Sequence, residues 1–113
     1  TLFYLKGMGV KIAIGSSSKN TKLILKNLGI IDVFDAIADG NDILKSKPDP
    51  EVFLKAAEKL KLKPCECAVV EDAFAGIEAA KRGGFFAIAI GDASKSGLAD
   101  ISITKLSDVL EIP

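Results

Sequence analysis

The stretch Cys67–Ile90, CAVVEDAFAGIEAAKRGGFFAIAI, decides the fold. Cys67 to Val70 is a short apolar run containing Val69 and Val70, which reads as a strand. The acidic pair Glu71-Asp72 ends it. Ala73 to Arg82 reads as a helix, closed by Gly83-Gly84. Phe85 to Ile90 is a second apolar run and a second strand. A strand, a helix and a strand in so short a span imply parallel pairing, with the helix packed across the sheet.

The same alternation extends outward in both directions. Upstream, Val10 to Ile14 (VKIAI) is a β-branched apolar run and reads as a buried strand, followed by the loop Gly15 to Ser18. From Asn20 or Thr21 to Leu28 the residues Leu23, Ile24 and Leu28 recur at helical spacing, and Gly29 closes the segment. Ala36 to Ala38 reads as a short strand, and Asp39-Gly40-Asn41-Asp42 is turn chemistry. Asp49-Pro50 opens a helix, with Asp49 expected as N-cap and Pro50 at the first helical position. Its apolar stripe is Val52, Phe53, Ala56, Ala57 and Leu60. Downstream, Ile101 to Ile103 reads as a last strand and Leu106 to Leu110 as a terminal helix. The expected fold class is α/β, a doubly wound parallel sheet with helices on both faces.

Composition bounds the chemistry. The chain has 113 residues, enough for one domain or part of one. It is 49% hydrophobic and 27% charged, so it can bury a core. Lys+Arg and Asp+Glu both number 15, which excludes a generally basic nucleic-acid binder. There is no His, which removes Ser-His-Asp catalysis, a His base and His-ligated zinc. An aromatic share of 6% without Trp argues against a stacking platform for single strands. Cys65 and Cys67, one residue apart, read as reduced thiols in a cytoplasmic protein. No apolar run reaches the roughly 20 residues of a membrane span, so no membrane partner is expected.

Ligands of open parallel sheets bind beyond the carboxyl ends of the strands. Three groups follow strands here. After the first comes Ser16-Ser17-Ser18-Lys19-Asn20 at a helix start, where free N–H groups, hydroxyls and an ammonium favour an anion. The plainer reading is a polar loop in which Ser18 or Asn20 caps the helix. After the second comes Lys47, followed by two prolines in Lys45-Ser46-Lys47-Pro48-Asp49-Pro50, so that its backbone is stiffened. Its plainer reading is a surface lysine. After the third come Glu71 and Asp72, hard oxygen donors of the kind Mg²⁺ takes together with water and phosphate. The plainer reading makes Asp72 a helix cap and Glu71 a solvated side chain. Taken together, these groups are parts for phosphoryl transfer, which depends on positioning and charge stabilisation. No convincing nucleophile is present: no serine has an adjacent base, and no D-x-D pair follows a strand.

The serine in VKIAIGSSSKN, the lysine in SKPDPEVF and the acidic pair in VVEDAFAGIEAAKRGG resemble three of the four motifs of the haloacid dehalogenase (HAD) superfamily of phosphotransferases. The strings SSSKN, FDAIAD and SKPDP look most like the superfamily's β-phosphoglucomutase family. The resemblance covers essentially the whole chain. It implies a Rossmann-like HAD core, here incomplete, with residues 1–113 forming the C-terminal portion of that core domain. It also implies residue roles. Ser16, aided by Ser17, binds the transferring phosphoryl group. Lys47 neutralises charge on that group and on the nucleophile. Glu71 and Asp72 hold Mg²⁺, Asp72 directly and Glu71 directly or through water. Ser18, Lys19 and Asn20 hold a second, non-transferring phosphate, a grip that a mutase needs and a phosphatase does not.

The implied activity is Mg²⁺-dependent phosphoryl transfer on a sugar phosphate through a phospho-aspartate. The alternatives are a sugar- or nucleotide-phosphate phosphatase of the same superfamily, and a non-catalytic fragment. The family's first motif, D-x-D-G-[TV], and its helical cap are not in this sequence. The start at Thr1 fits a chain cut between the cap and the second motif. Loss of the central strand is expected to open an apolar groove in the sheet, so the chain is expected to need an N-terminal segment, covalent or separate.

Overall fold

The computed structural model describes residues 5, 7–16 and 18–111, except for the side chains of residues 109–111. Among the described residues, beyond the helical Leu5 and Gly7, five strands and three α-helices alternate along the chain. They are β1 (Ala13–Gly15), α1 (Thr21–Asn27), β2 (Ala36–Ala38), α2 (Glu51–Leu60), β3 (Ala68–Glu71), α3 (Phe74–Arg82), β4 (Phe86–Ile90) and β5 (Ile101–Ile103). Short 3-10 helices at Ile31–Val33, Pro64–Glu66, Gly91–Ser96 and Leu106–Glu111 make the remaining corners. The expected terminal α-helix at Leu106 is the last of these, a tighter 3-10 helix. At the other end Leu5 and Gly7 are helical, and Val10 donates to the Leu5 carbonyl as the chain turns at Gly9 (φ +84°). The sequence also reads Leu2 to Leu5 as the last turns of a helix that ends at Gly7 and Gly9, and residues 1–4 of that reading lie outside the described part.

Every strand pairing is parallel, and the fold is α/β of Rossmann-like type. The pairing is not one continuous sheet. β1 pairs with β2 in one sheet, and β3-β4-β5 form another. β4 is the middle strand of the larger sheet, and its Ala87, Ile88 and Ala89 are all buried, as expected of a parallel strand covered on both faces. Helix α2 packs on β1 and β2, α3 packs on β3 and β4, and the two helices touch each other. The core between them is rich in alanine: Ala56 and Ala57 of α2, Ala79 and Ala80 of α3, and Ala87 and Ala89 of β4. Small side chains let helix and strand backbones approach closely. Ile77, Val52 and Phe85 fill the space between.

Between the sheets runs a groove of about 790 Å³, lined by β1, β3 and the inner face of α2. Alternate residues of a parallel strand turn their backbone groups to opposite sides. Ile12 accepts from the Asp35 N–H and the Ser16 N–H donates to Ala38, so Ala13 and Gly15 turn theirs away from β2. Cys67 accepts from the Phe86 N–H, so Ala68 and Val70 turn theirs away from β4. Among the described residues no strand pairs with either of these edges. The groove expected from the sequence is thus present, with a peptide edge on each side.

Several boundaries differ from expectation: β1 runs from Ala13 to Gly15 rather than from Val10 to Ile14, and β3, α3 and β4 each begin one residue later. The helix after the prolines begins at Glu51, not Pro50, and Pro50 occupies the N-cap position. Asp49 lies one residue further out, its Oδ1 accepting from the Glu51 N–H at 3.0 Å. The third strand includes Glu71, because its backbone continues in register with Ala89 of β4.

Candidate functional site

The carboxyl ends of β1, β2 and β3 supply the candidate residues. Glu71 closes β3, and its side chain folds back over the first turn of α3. Its Oε1 accepts from the Asp72 and Ala73 N–H groups, each at 3.2 Å. Gly76 makes this possible: a Cβ there would collide with the Glu71 Cγ and Cδ. The other oxygen, Oε2, faces the Lys47 Nζ at 3.0 Å. The pair is largely shielded, with side-chain exposures of 21% for Lys47 and 11% for Glu71. Ion pairs away from solvent are screened less than surface pairs, so this one holds Lys47 in place.

Phe53 of α2 is the second support of the lysine. Lys47 Nζ lies 4.8 Å from the centre of its ring, within cation–π range. The ring is fixed edge-on by Phe85, at 6.1 Å between centroids. It also packs under Gly15, where a Cβ would fall 2.9 Å from the Phe53 Cδ1. Gly15 is the last residue of β1, and Ser16 follows it directly. Gly15, Phe53 and Glu71 all line the groove. Thus the end of β1 and Lys47 meet at one aromatic ring, and Lys47 links that ring to the end of β3 through Glu71.

The serine loop is ordered by its own bonds. The Ser16 N–H donates to Ala38, and the Ser16 hydroxyl oxygen accepts from the Ser18 N–H at 3.2 Å. The Ser18 hydroxyl accepts from the Asn20 N–H at 3.1 Å, a turn bond ahead of the helix, so the cap expected of Ser18 or Asn20 is not formed: α1 has no side-chain cap. Asn20 stands at the N-cap position but makes no side-chain cap. The Lys19 and Asn20 side chains are exposed. Ser17 lies outside the described residues.

Asp72 is exposed, and among the described residues its carboxylate makes no hydrogen bond or ion pair. Both Glu71 oxygens are already engaged. Among the described residues, no group of three His, Cys, Asp or Glu side chains is gathered as a metal site. The donor set fits Mg²⁺, which is commonly held by one or two carboxylates with water and phosphate completing its shell. Of the two carboxylates, that of Asp72 is available to such an ion, whereas both oxygens of Glu71 are taken up by Lys47 and the backbone.

Sequence reading names Ser16, Lys47, Glu71 and Asp72 as candidates, and of these the structure joins Lys47 to Glu71; Phe53, Gly15 and Gly76 are supports that the reading does not name. Phe53 sat in an apolar stripe and looked like core alone. Gly76 carried a usable signal, since a glycine inside a helical run often marks a close approach.

A model of the haloacid dehalogenase-like hydrolases matches residues 1–84. The chain is 44% identical over 108 residues to β-phosphoglucomutase of Bacillus subtilis (strain 168), which covers 96% of this chain and 48% of that protein. It superposes on β-phosphoglucomutase from Clostridium difficile with a TM-score of 0.88 and 35% identity, covering 97% of this chain and 52% of the other. It superposes on a HAD phosphatase from Thermococcus onnurineus with a TM-score of 0.89 and 30% identity, covering 97% and 53%. The chain therefore spans about half the length of these relatives. No described helix is long and apolar enough to cross a membrane. The match over most of the chain, together with the lysine and acidic pair at the strand ends, places it in the haloacid dehalogenase-like hydrolase family.

Proposed function

We propose that this chain is the C-terminal portion of the core domain of a sugar-phosphate phosphoryltransferase, most specifically a β-phosphoglucomutase. The complete protein adds an N-terminal portion whose strand, bearing the nucleophilic aspartate, lies in the groove between β1 and β3. The apolar lining and the two outward-turned peptide edges support a parallel strand there. Such a strand would end beside Gly15 and Glu71, which brings its carboxyl end to the lysine.

The observation that carries the proposal is the Lys47 ammonium, held by Glu71 and Phe53 at the groove mouth. A lysine fixed there offsets negative charge on an attacking carboxylate and on the phosphoryl oxygens without reorganising during the reaction. Ser16 and Ser17 donate to the transferring phosphoryl group. Ser18, Lys19 and Asn20 bind the phosphate at the other end of a sugar bisphosphate. Asp72 would hold Mg²⁺, and Glu71 would support it directly or through water while retaining Lys47. The ion supplies charge neutralisation between carboxylate and phosphate. The phosphorylated aspartate passes its phosphoryl group to β-glucose 1-phosphate, and the bisphosphate turns over and returns the other one, leaving glucose 6-phosphate.

A second reading, a phosphatase that passes the phosphoryl group to water, is favoured by the likeness to the Thermococcus onnurineus phosphatase. The test is to assay the complete protein on β-glucose 1-phosphate with and without glucose 1,6-bisphosphate. Primer-dependent glucose 6-phosphate supports the mutase. Inorganic phosphate without isomerisation supports the phosphatase, and neither product overturns both.

A further inference from the structure

The turn after β2 is tied to the serine loop by bonds that the proposed chemistry does not use. The Asn41 Nδ2 donates to the Lys19 carbonyl at 3.1 Å, across 22 residues of sequence. Beside it the Gly40 N–H donates to the Ser18 carbonyl at 3.0 Å, and the Thr21 hydroxyl donates to that same carbonyl at 2.9 Å. The peptide groups on which Ser18 and Lys19 ride are therefore held from outside their own loop.

The turn that holds them is itself anchored. Asp39 is a carboxylate residue only 1% exposed, and its Oδ1 accepts from the Asn41 N–H at 2.9 Å. The Asp39 N–H donates to Asp42 Oδ2 at 2.9 Å, and Lys59 of α2 reaches both that oxygen (3.2 Å) and the Ile37 carbonyl (2.8 Å). A path of hydrogen bonds thus runs from α2 through Asp42 and Asp39 to Asn41. It ends on the backbone of Lys19.

We propose that Asn41 is a positioning residue for the non-transferring phosphate: its side-chain amide, carried on a backbone that the buried Asp39 holds, fixes the Lys19 carbonyl and so aims the Lys19 and Asn20 side chains. This rests on the mutase reading above and adds a specificity device to it. Asn41 touches no substrate. It acts by reducing the number of arrangements the Ser18–Asn20 segment can take before the phosphate arrives, which raises affinity without new contacts.

The test uses Asn41→Asp in the complete protein. The exchange keeps the size of the side chain, removes the donor and sets a carboxylate against the Lys19 carbonyl. Isotope-labelled amide spectra are followed during titration with glucose 1,6-bisphosphate, alongside steady-state kinetics and a thermal melt. The expected result is a roughly fivefold weaker bisphosphate Kd and a matching rise in KM, with kcat changed less than twofold and the melt unmoved. Asn41→Ser, which retains a donor, is expected to recover part of the loss. An unchanged Kd in Asn41→Asp overturns the inference, as does an equal fall of kcat and kcat/KM. A parent protein that transfers no phosphoryl group defeats the proposed function instead, and the bisphosphate Kd still decides the role of Asn41.

Discussion

Lys47, in the loop after β2, and Glu71, at the end of β3, meet at 3.0 Å and so link two sheets that, among the described residues, share no strand pairing. The ion pair spans the mouth of the groove. One oxygen of Glu71 holds the lysine, and the other holds the first two N–H groups after the strand. Charge placement and local backbone order therefore depend on one carboxylate.

Glu71→Gln tests this dependence. Removing one charge of a shielded pair leaves the other without its partner, which is costlier than losing a surface pair. Urea unfolding of the variant is expected to show a loss of about 1–3 kcal/mol. A loss within the error of the measurement would assign the pair no structural role.

Gly76→Ala separates positioning from stability. Alanine favours the helix by about 1 kcal/mol, while its Cβ takes the space of the Glu71 side chain. Glu71 can swing aside, because it is a flexible chain, but then it releases Lys47. The thermal midpoint is expected to stay within a few degrees. Turnover is expected to fall about tenfold, the equivalent of one weakened charge-assisted bond. A variant with full turnover would mean that Glu71 need not occupy its observed position.

The anchoring turn predicts a pH dependence. The Asp39 N–H and then the Lys59 ammonium hold the Asp42 carboxyl below its ordinary range. A carboxylate depressed in the folded state contributes stability above its unfolded value of about 3.9 and loses it as the pH falls through the folded value. Asp42→Asn is therefore expected to be less stable than the parent near neutrality. The gap should close below about pH 4, as the parent's carboxylate protonates. Denaturant midpoints across that range check this, and a constant gap would remove Asp42 as the cause.

The groove can be probed with a thiol reagent. Cys67 lines the groove and Cys65 is exposed. Burial, followed by the neighbouring Glu66, pushes the Cys67 thiol up, so less of the reactive thiolate is present. With a strand in the groove, Cys67 is covered as well. In the complete protein Cys65 is expected to be modified quickly and Cys67 at least tenfold more slowly. Equal rates at the two thiols would show an open groove.

Much of this was legible in the sequence, for identifiable reasons. Five strand positions showed as short β-branched or apolar runs, and α2 showed as a stripe from Val52 to Leu60. Lys47 was legible because two prolines follow it, and Glu71-Asp72 because paired acids after a strand need a cause. Three features were not legible. Asp49 shifted outward because Pro50 took the cap position, and cap positions shift by one residue without altering composition. The double engagement of Glu71 depends on Gly76 across a helix turn, a contact set by how α3 departs from β3. The support of Lys47 by Phe53 depends on α2 packing beneath β1, a tertiary contact that an apolar periodicity does not record.

The account rests on Lys47 stabilising charge at the reacting phosphoryl group, and the direct measurement is kcat/KM of Lys47→Ala in the complete protein on β-glucose 1-phosphate with bisphosphate primer. Loss of one preorganised cation from such a site is expected to lower it on the order of 10²-fold or more, with the variant still folded by circular dichroism. A folded Lys47→Ala protein working within about threefold of the parent would contradict the account.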